Sequence, residues 1–105
     1  MKQVTVHKGR TVILPVSLGM DVSQDIITSQ IREDKRRTSQ LIATWSVSFD
    51  TDGTDGELIL TLDNTVTAAI TNVIGYMDLK RVTDGEPVNI FDDPLEVVFK
   101  DTVTV

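Results

Sequence analysis

The sequence contains no cysteine. This absence excludes a disulfide framework, a cysteine nucleophile and any zinc or iron–sulfur site with thiolate ligands, so the fold must rest on packing alone. Aromatic residues are also few, with one Trp, one Tyr and three Phe. The core must therefore be built mainly from aliphatic side chains.

Long hydrophobic runs are missing as well. The longest run has about four residues, whereas a membrane-spanning helix needs about 20, and the N-terminus has no signal-peptide hydrophobic region. We therefore expect an unprocessed protein made in the cytoplasm, with no membrane partner. Positive charge is in deficit, with 10 Lys and Arg against 16 Asp and Glu and a net charge of −6. Such a chain repels a phosphate backbone, and nucleic acid is not an expected partner.

What is present is the composition of one globular domain. The chain has 105 residues, 40% apolar and 25% charged, a length that buries roughly 65% of the unfolded surface in a single core. No second domain is needed, and we expect one domain over residues 1–105.

The clearest pattern runs from Leu41 to Leu62. Its first half alternates apolar residues with mostly hydroxyl-bearing ones, which predicts a strand with one buried face: Leu41, Ala43, Trp45, Val47 and Phe49. Its second half repeats the alternation with Leu58, Leu60 and Leu62. Between them lies DTDGTDG at 50–56, which is rich in residues that tolerate positive φ. The stretch predicts a β-hairpin that carries the only Trp.

Further strands are predicted at 3–6, 11–18, 27–32, 76–82, 88–91 and 95–105. Pro15 cannot donate to a ladder and should lie at a sheet edge or bulge. After Leu62 the period changes, and a helical stripe predicts one short helix over roughly 64–74, with Asp63 or Asn64 as N-cap and Gly75 as its stop: Val66, Ala69, Ile70, Val73 and Ile74. The pattern predicts an all-β, immunoglobulin-like antiparallel β-sandwich of about eight short strands, with a small barrel as the alternative.

Few residues suggest chemistry. Asp50, Asp52, Asp55 and Glu57 have some features of a calcium loop, but their spacing differs from the twelve-residue EF-hand pattern, and Asp-Gly pairs at a hairpin tip favour turn formation. His7 is the only histidine and has no spaced partner, so an exposed loop position is expected. We predict no catalytic residue, no cofactor and no enzyme activity.

Two other features bear on binding. The segment at 32–40 (REDKRRTSQ) is dense in mixed charge, which favours a solvated turn. Its cations could alternatively form a patch that docks onto an acidic neighbour: Arg32, Lys35, Arg36 and Arg37. Trp45 and Tyr76 could stack on a sugar or a base, but the apolar pattern around Trp45 favours core packing.

Several segments together resemble a known family. They are QIR at 30–32, LIATW at 41–45, GELILTL at 56–62, GYMDLKRV at 75–82 and PLEVVFKDTVTV at 94–105, with a short helix between the third and fourth. The chain resembles small virion proteins of tailed bacteriophages, whose β-sandwich module also forms the N-terminus of baseplate upper and receptor-binding adaptor proteins. The charged 32–40 loop and the absence of a downstream fibre segment depart from that family, so we expect the module alone.

The resemblance implies a non-catalytic structural protein of the virion, a tail, baseplate or fibre adaptor that binds other phage structural proteins, as a homo-oligomer or symmetric array. A head decoration or head-fibre-base protein is the first alternative. A calcium- or carbohydrate-binding sandwich module is the second. Unpaired strands can add to a neighbour's sheet, and the expected partner-binding residues lie near the two ends of the chain: Val4, Val6, Thr102, Val103, Thr104 and Val105.

Overall fold

Short strands make up most of the backbone that the computed structural model describes, which comprises residues 3–36, 38–83, 85–89 and 94–101. The elements are β1 Gln3–His7, β2 Val12–Ser17, β3 Ile26–Thr28, β4 Gln30–Arg32, β5 Leu41–Thr44, β6 Ser46–Phe49, β7 Glu57–Leu62, α1 Asn64–Ala68, β8 Ile74–Met77, β9 Lys80–Thr83, β10 Glu86–Asn89 and β11 Leu95–Lys100. Among these residues, no helix has the length and apolarity that crossing a membrane requires.

The strands form two layers. One contains the five-stranded sheet β1-β11-β8-β4-β5 and the sheet β10-β9-β3, which continues it because β3 leads into β4 and β8 leads into β9. The other is β2-β7-β6. This order corresponds to the two sheets of a variable-type immunoglobulin domain, with β5 added beside β4. The predicted all-β, immunoglobulin-like sandwich is confirmed. The β1–β11 pair is parallel, and the other described pairs are antiparallel.

Three predicted strands are each interrupted once. The stretches 26–32 and 74–83 are interrupted at Ser29 and at Asp78–Leu79 but stay in one layer, whereas 41–49 crosses to the other layer at Trp45. The interruptions are joined to one another, because the Trp45 N–H donates to the Ser29 carbonyl at 2.9 Å and the Ser29 hydroxyl donates to the Asp78 carbonyl at 2.6 Å. These bonds satisfy backbone groups that would otherwise be orphaned where the ladders stop.

The core lies between the layers and is aliphatic, as predicted. Its buried apolar residues form one cluster: Val4, Val6, Val22, Ile27, Ile31, Ala43, Trp45, Leu58, Leu60, Leu62, Ile70, Met77, Leu79, Val97 and Phe99. Trp45 is only 3% exposed, so the expectation that it packs in the core is confirmed. Its indole N–H has no acceptor within the described residues.

The predicted helix over 64–74 is wrong in length and in its buried face. The helix ends at Ala68, and its buried residue is Thr67, whose hydroxyl donates to the Arg10 carbonyl at 2.7 Å. Val73 is 67% exposed. Threonine-rich sequence has low helix propensity, and one turn anchored by a tertiary hydrogen bond closes this end of the sandwich instead. The N-cap at Asp63 is confirmed, since its side chain accepts the Asn64 N–H.

Gly75 is not the helix stop that the sequence predicts. It lies inside β8, where a Cβ would meet the Ile31 side chain at 2.8 Å and the Ile42 side chain at 2.9 Å. The glycine therefore serves close packing within the sheet rather than a turn.

Leu41 is also misplaced by the alternation, being 40% exposed. The register between β4 and β5 shifts at Ile31/Arg32, so that Arg32 pairs with Leu41 and Ile42 is skipped. A bulge of this kind turns the following side chains to the opposite face. Ile42 rather than Leu41 packs against the core.

The proline edge follows the prediction, and the two predicted hairpins do so in part. β6 pairs with β7 with Phe49 opposite Leu58, whereas β5, the start of the predicted first arm, pairs with β4 in the other layer. β9 pairs with β10 with Thr83 opposite Glu86. Pro15 lies in β2, an edge strand. Residues 90 and 91 of the predicted 88–91 strand lie outside the described residues.

Candidate partner-binding edge

The edge strand β1 is the part of the molecule best built to receive another strand. It pairs with β11 on one side only, in a continuous register from Gln3 opposite Glu96 to His7 opposite Lys100. The Lys8 N–H donates to the Lys100 carbonyl at 2.9 Å. Backbone groups of alternate residues point to opposite sides of a strand, so Val4 and Val6 bond toward β11. Those of Gln3, Thr5 and His7 point outward.

Little occupies that outer side in the part of the chain that the structure describes. The His7 carbonyl accepts the Arg10 N–H at 3.1 Å, within the turn that leads to β2. By this alternation the Thr5 N–H and carbonyl point away from β11, and no turn or loop hydrogen bond of the described residues involves them. Thr5 is therefore the centre of an open edge.

Other edges of the described sheets carry devices that discourage pairing. β2 has Pro15 and β10 has Pro87 in the strand, and neither can donate to an added ladder. β5 has the bulge at Ile42. β3 has three residues and contacts the neighbouring edge strand β6. In contrast, β1 runs five residues without a proline, a charged carboxylate or ammonium side chain, or a bulge.

The structure places the predicted partner-binding residues unevenly. Val4 and Val6 are 5% and 0% exposed, so their side chains belong to the core and only the backbone edge of their strand is available to a partner. The side chains that accompany this edge are those of Gln3, Thr5 and His7, which are exposed. Thr102, Val103, Thr104 and Val105 lie outside the described residues.

The predicted basic patch is not assembled as a set of free cations. Arg32 donates to the Ser39 carbonyl at 2.8 Å and to the Gln30 side chain at 2.9 Å. Lys35 stands 5.7 Å above the centroid of the Tyr76 ring, a cation–π contact. Arg37 lies outside the described residues.

Arg36 is held by its own loop. Its guanidinium contacts the Asp34 carboxylate at 2.7 Å, and hydrogen bonding from Arg36 lowers the pKa of Asp34 to about 2. Both groups are in solvent, where such a pair contributes little to stability. The pair shapes the turn, and this favours the solvated-turn interpretation over the docking patch.

The acidic hairpin tip uses its carboxylates to build the turn. Asp52 accepts the Thr54 hydroxyl at 2.6 Å and the Thr54 N–H at 3.1 Å, and the side-chain bond is the main cause that lowers the pKa of Asp52. Asp55 accepts the Glu57 N–H at 3.0 Å, and Glu57 accepts the Ser17 hydroxyl at 2.8 Å.

Positive φ at the tip is supplied by Gly53 and Gly56, at 86° and 76°. Asp50 donates its backbone N–H to the Glu57 carbonyl at 3.0 Å, which closes the hairpin. Within the described residues, no three acidic or histidine side chains converge as metal ligands. The arrangement favours the turn interpretation over a calcium loop.

His7 and Tyr76 complete the predicted candidates. His7 is exposed as expected, but it is the last residue of β1 and not a loop residue. Tyr76 is half-buried in β8 beneath Lys35, opposite Glu96 on one side and Arg32 on the other. Neither residue forms part of a nucleophile–base arrangement among the hydrogen bonds of the described chain.

Sequence reasoning missed a groove of about 510 Å³, of mixed polar and apolar lining, between β5 and the segment at 66–72. Its lining residues are Glu33, Gln40, Leu41, Ile42, Val66, Ala69, Ile70, Thr71 and Asn72. The helical stripe predicted Val66 to be buried, whereas it is 39% exposed. The signal that could have revealed the groove is the three Thr residues at 65, 67 and 71, which make a long packed helix unfavourable.

The chain was compared with protein-family models, curated proteins and solved structures. No family model matches the chain, and no curated protein matches it. A solved structure from photo-crosslinking analyses of multimeric cell-adhesive interactions of VGSC (voltage-gated sodium channel) beta subunits is similar over 97% of this chain and 93% of that chain, with 8% sequence identity and a TM-score of 0.41. A similarity this distant carries no information on binding, and the immunoglobulin-like assignment rests on the strand order described above.

Proposed function

We propose that the protein is a non-catalytic structural component of a bacteriophage particle, a tail, baseplate or fibre adaptor that binds other virion proteins. The observation that carries the proposal is the open edge at β1, in a domain whose other edges carry a proline, a bulge or a neighbouring strand. Addition of a strand to such an edge is a common mode of protein recognition, in which main-chain hydrogen bonds supply affinity. The assignment to a phage particle is supported by the resemblance to virion proteins of the segments at 30–32, 41–45, 56–62, 75–82 and 94–105.

The strand direction and register of β1 define the geometry of binding at this edge. A partner strand lying beside β1 pairs with the outward groups of Gln3, Thr5 and His7, while Val4 and Val6 stay in the core. The partner extends the five-stranded sheet by one strand without rearrangement of the sandwich. This suits an adaptor, which must hold two components in a fixed orientation.

The test is the location of the chain in particles. Phage that carry the gene are banded on a density gradient, and the chain is located with an antibody and with gold-labelled antibody in the electron microscope. We expect the chain to band with intact particles and the gold to lie at the tail. Gold on the capsid would replace the adaptor with the head-decoration alternative. Recovery only from the unbanded soluble fraction would refute a virion role.

A matched pair of variants tests the edge itself. Thr5→Pro and Thr5→Ala both remove the hydroxyl, but only proline removes the outward N–H. We expect particles made with Thr5→Ala to contain the chain at the normal level and those made with Thr5→Pro to lack it. Equal incorporation of both variants would show that assembly uses another surface.

A further inference from the structure

The edge strand β1 is self-complementary, and we infer that two copies of this chain associate through antiparallel β1–β1 pairing about a two-fold axis at Thr5. Thr5 is the middle residue of the five in β1. Pairing about it places Gln3 opposite the partner's His7 and Thr5 opposite the partner's Thr5. The inference concerns the same edge as the proposed function, so a second copy and the strand of a virion partner would occupy β1 alternately, but it does not depend on a virion role.

The hydrogen-bond register agrees with this arrangement. In an antiparallel pair, the residues that exchange both N–H···O bonds recur at every second position. In β1 these are the outward residues Gln3, Thr5 and His7, so all of them become hydrogen-bonded pairs when Thr5 lies on the axis. The His7 carbonyl, which already accepts the Arg10 N–H, accepts the partner's N–H with its second lone pair. Val4 then faces the partner's Val6 as a non-hydrogen-bonded pair. Both are core residues, so the two cores meet along the shared sheet.

Charge also permits a second copy. The chain has a net charge of −6, and most surfaces of such a protein repel the same surface on a second copy. β1 has no carboxylate, and the charged neighbours behind it on β11 are Glu96, in register with Gln3, and Lys100, in register with His7. In the antiparallel pair, one row of residues crosses the four strands. It begins at Glu96 and Gln3 of one copy and ends at the partner's His7 and the partner's Lys100. Opposite charges therefore lie in the same row, and like charges do not.

The lack of native cysteine allows a direct test by disulfide trapping. In the inferred dimer the two Thr5 Cα atoms are about 5.5 Å apart, within the range of a disulfide, whereas the two Gln3 Cα atoms are about 14 Å apart. Both positions are exposed on the same strand face. The variants Thr5→Cys and Gln3→Cys therefore form a matched pair under mild oxidation. We expect disulfide-linked dimers at least roughly tenfold faster for Thr5→Cys. Equal rates would overturn the inference.

The mass in solution gives a second measurement. Light scattering behind size exclusion, over a range of concentrations, should show the unmodified chain rising from 11.6 kDa toward twice that mass. Thr5→Ala should behave in the same way, and Thr5→Pro should remain monomeric. A constant 11.6 kDa for the unmodified chain, or dimers of Thr5→Pro, would refute the pairing. If circular dichroism shows that Thr5→Pro is unfolded, the cysteine pair decides.

These outcomes separate the inference from the proposed function. A chain that is monomeric in solution yet bands with particles overturns the dimer and leaves the virion role intact. A chain that dimerises through Thr5 but is missing from particles supports the dimer and refutes the virion role.

Discussion

The contact between the hairpin tip at 50–56 and the loop at 19–25 predicts a large penalty for Gly56→Ala. Gly56 has a φ of 76°, and a Cβ there would clash with the Met20 carbonyl and lie 2.8 Å from the Met20 nitrogen. Both atoms are backbone, so no side chain can move aside. The same contact contains two hydrogen bonds, from the Leu18 N–H to the Gly56 carbonyl and from the Val22 N–H to the Gly53 carbonyl, each 2.9 Å long.

Gly19→Ala is the matched control, because Gly19 has a φ of 68° and its Cβ would meet nothing within 4 Å. In both variants an alanine in the left-handed region lowers the free energy of unfolding by about 1–2 kcal/mol, and the less flexible unfolded chain offsets about 0.4–1 kcal/mol of that loss. Gly56→Ala must also separate the two loops, and losing two hydrogen bonds costs about 1–3 kcal/mol more.

The assay is urea and thermal unfolding followed by circular dichroism. For a domain of this size, about 2 kcal/mol corresponds to a fall in Tm of about 10 °C. We expect Gly56→Ala to melt about that far below Gly19→Ala. If the two variants melt together, the clash with Met20 does not control the stability of this end, and the reasoning fails.

Three other perturbations have definite expected outcomes. Thr67→Val should lower the free energy of unfolding by about 1–3 kcal/mol, because the Arg10 carbonyl loses its buried donor; Thr67→Ser should restore most of it, and no loss in Thr67→Val under urea would contradict the anchor. NMR titration of Asp34 should give a pKa of about 2, and Arg36→Gln should return that pKa toward 3.8. Because the folded-state pKa is lowered, the contribution of this pair to stability is complete above pH 3.8 and is lost as the pH falls through about 2. Millimolar calcium should leave the Tm unchanged, since the 50–57 carboxylates already hold their own turn; a calorimetric binding signal would refute that assignment.

The sequence was most informative where one local rule decided the outcome. Alternation identified the core faces of β2 and β7, Asp-Gly content located the turn at 50–56, and the missing N–H of Pro15 predicted an edge. Each of these follows from a residue's own geometry or from a period of two along one strand. The all-β class follows from repetition of that period along the chain.

The errors arose where tertiary contacts overrode a local pattern. The stripe at 66–74 had helical spacing, but a Thr67 hydroxyl directed at Arg10 fixed a single turn, and Ile74 was taken into β8. The alternation at 41–49 looked continuous, yet the strand changes layer at Trp45. Neither event has a signal in spacing, because both depend on which segments lie next to one another.

The candidate site was predictable only in part. The β-prone N-terminal strand was identified, but its valines were taken for contact residues, whereas the structure buries them and turns the Thr5 backbone outward. Sequence shows which strands are apolar on alternate positions. It does not show which strand ends at an edge, since strand order is set by long-range pairing.

The parallel pairing of β1 with β11 has a mechanical consequence. A force that pulls the chain before Gln3 away from the chain after Lys100 acts along both strands in opposite directions. The evenly spaced hydrogen bonds of a parallel pair then bear the load together instead of opening one after another. The rate of forced unfolding is set by the barrier to breaking this group of bonds at once. A domain under traction between those two points would resist extension, whereas load applied across the β9–β10 hairpin would peel it open bond by bond.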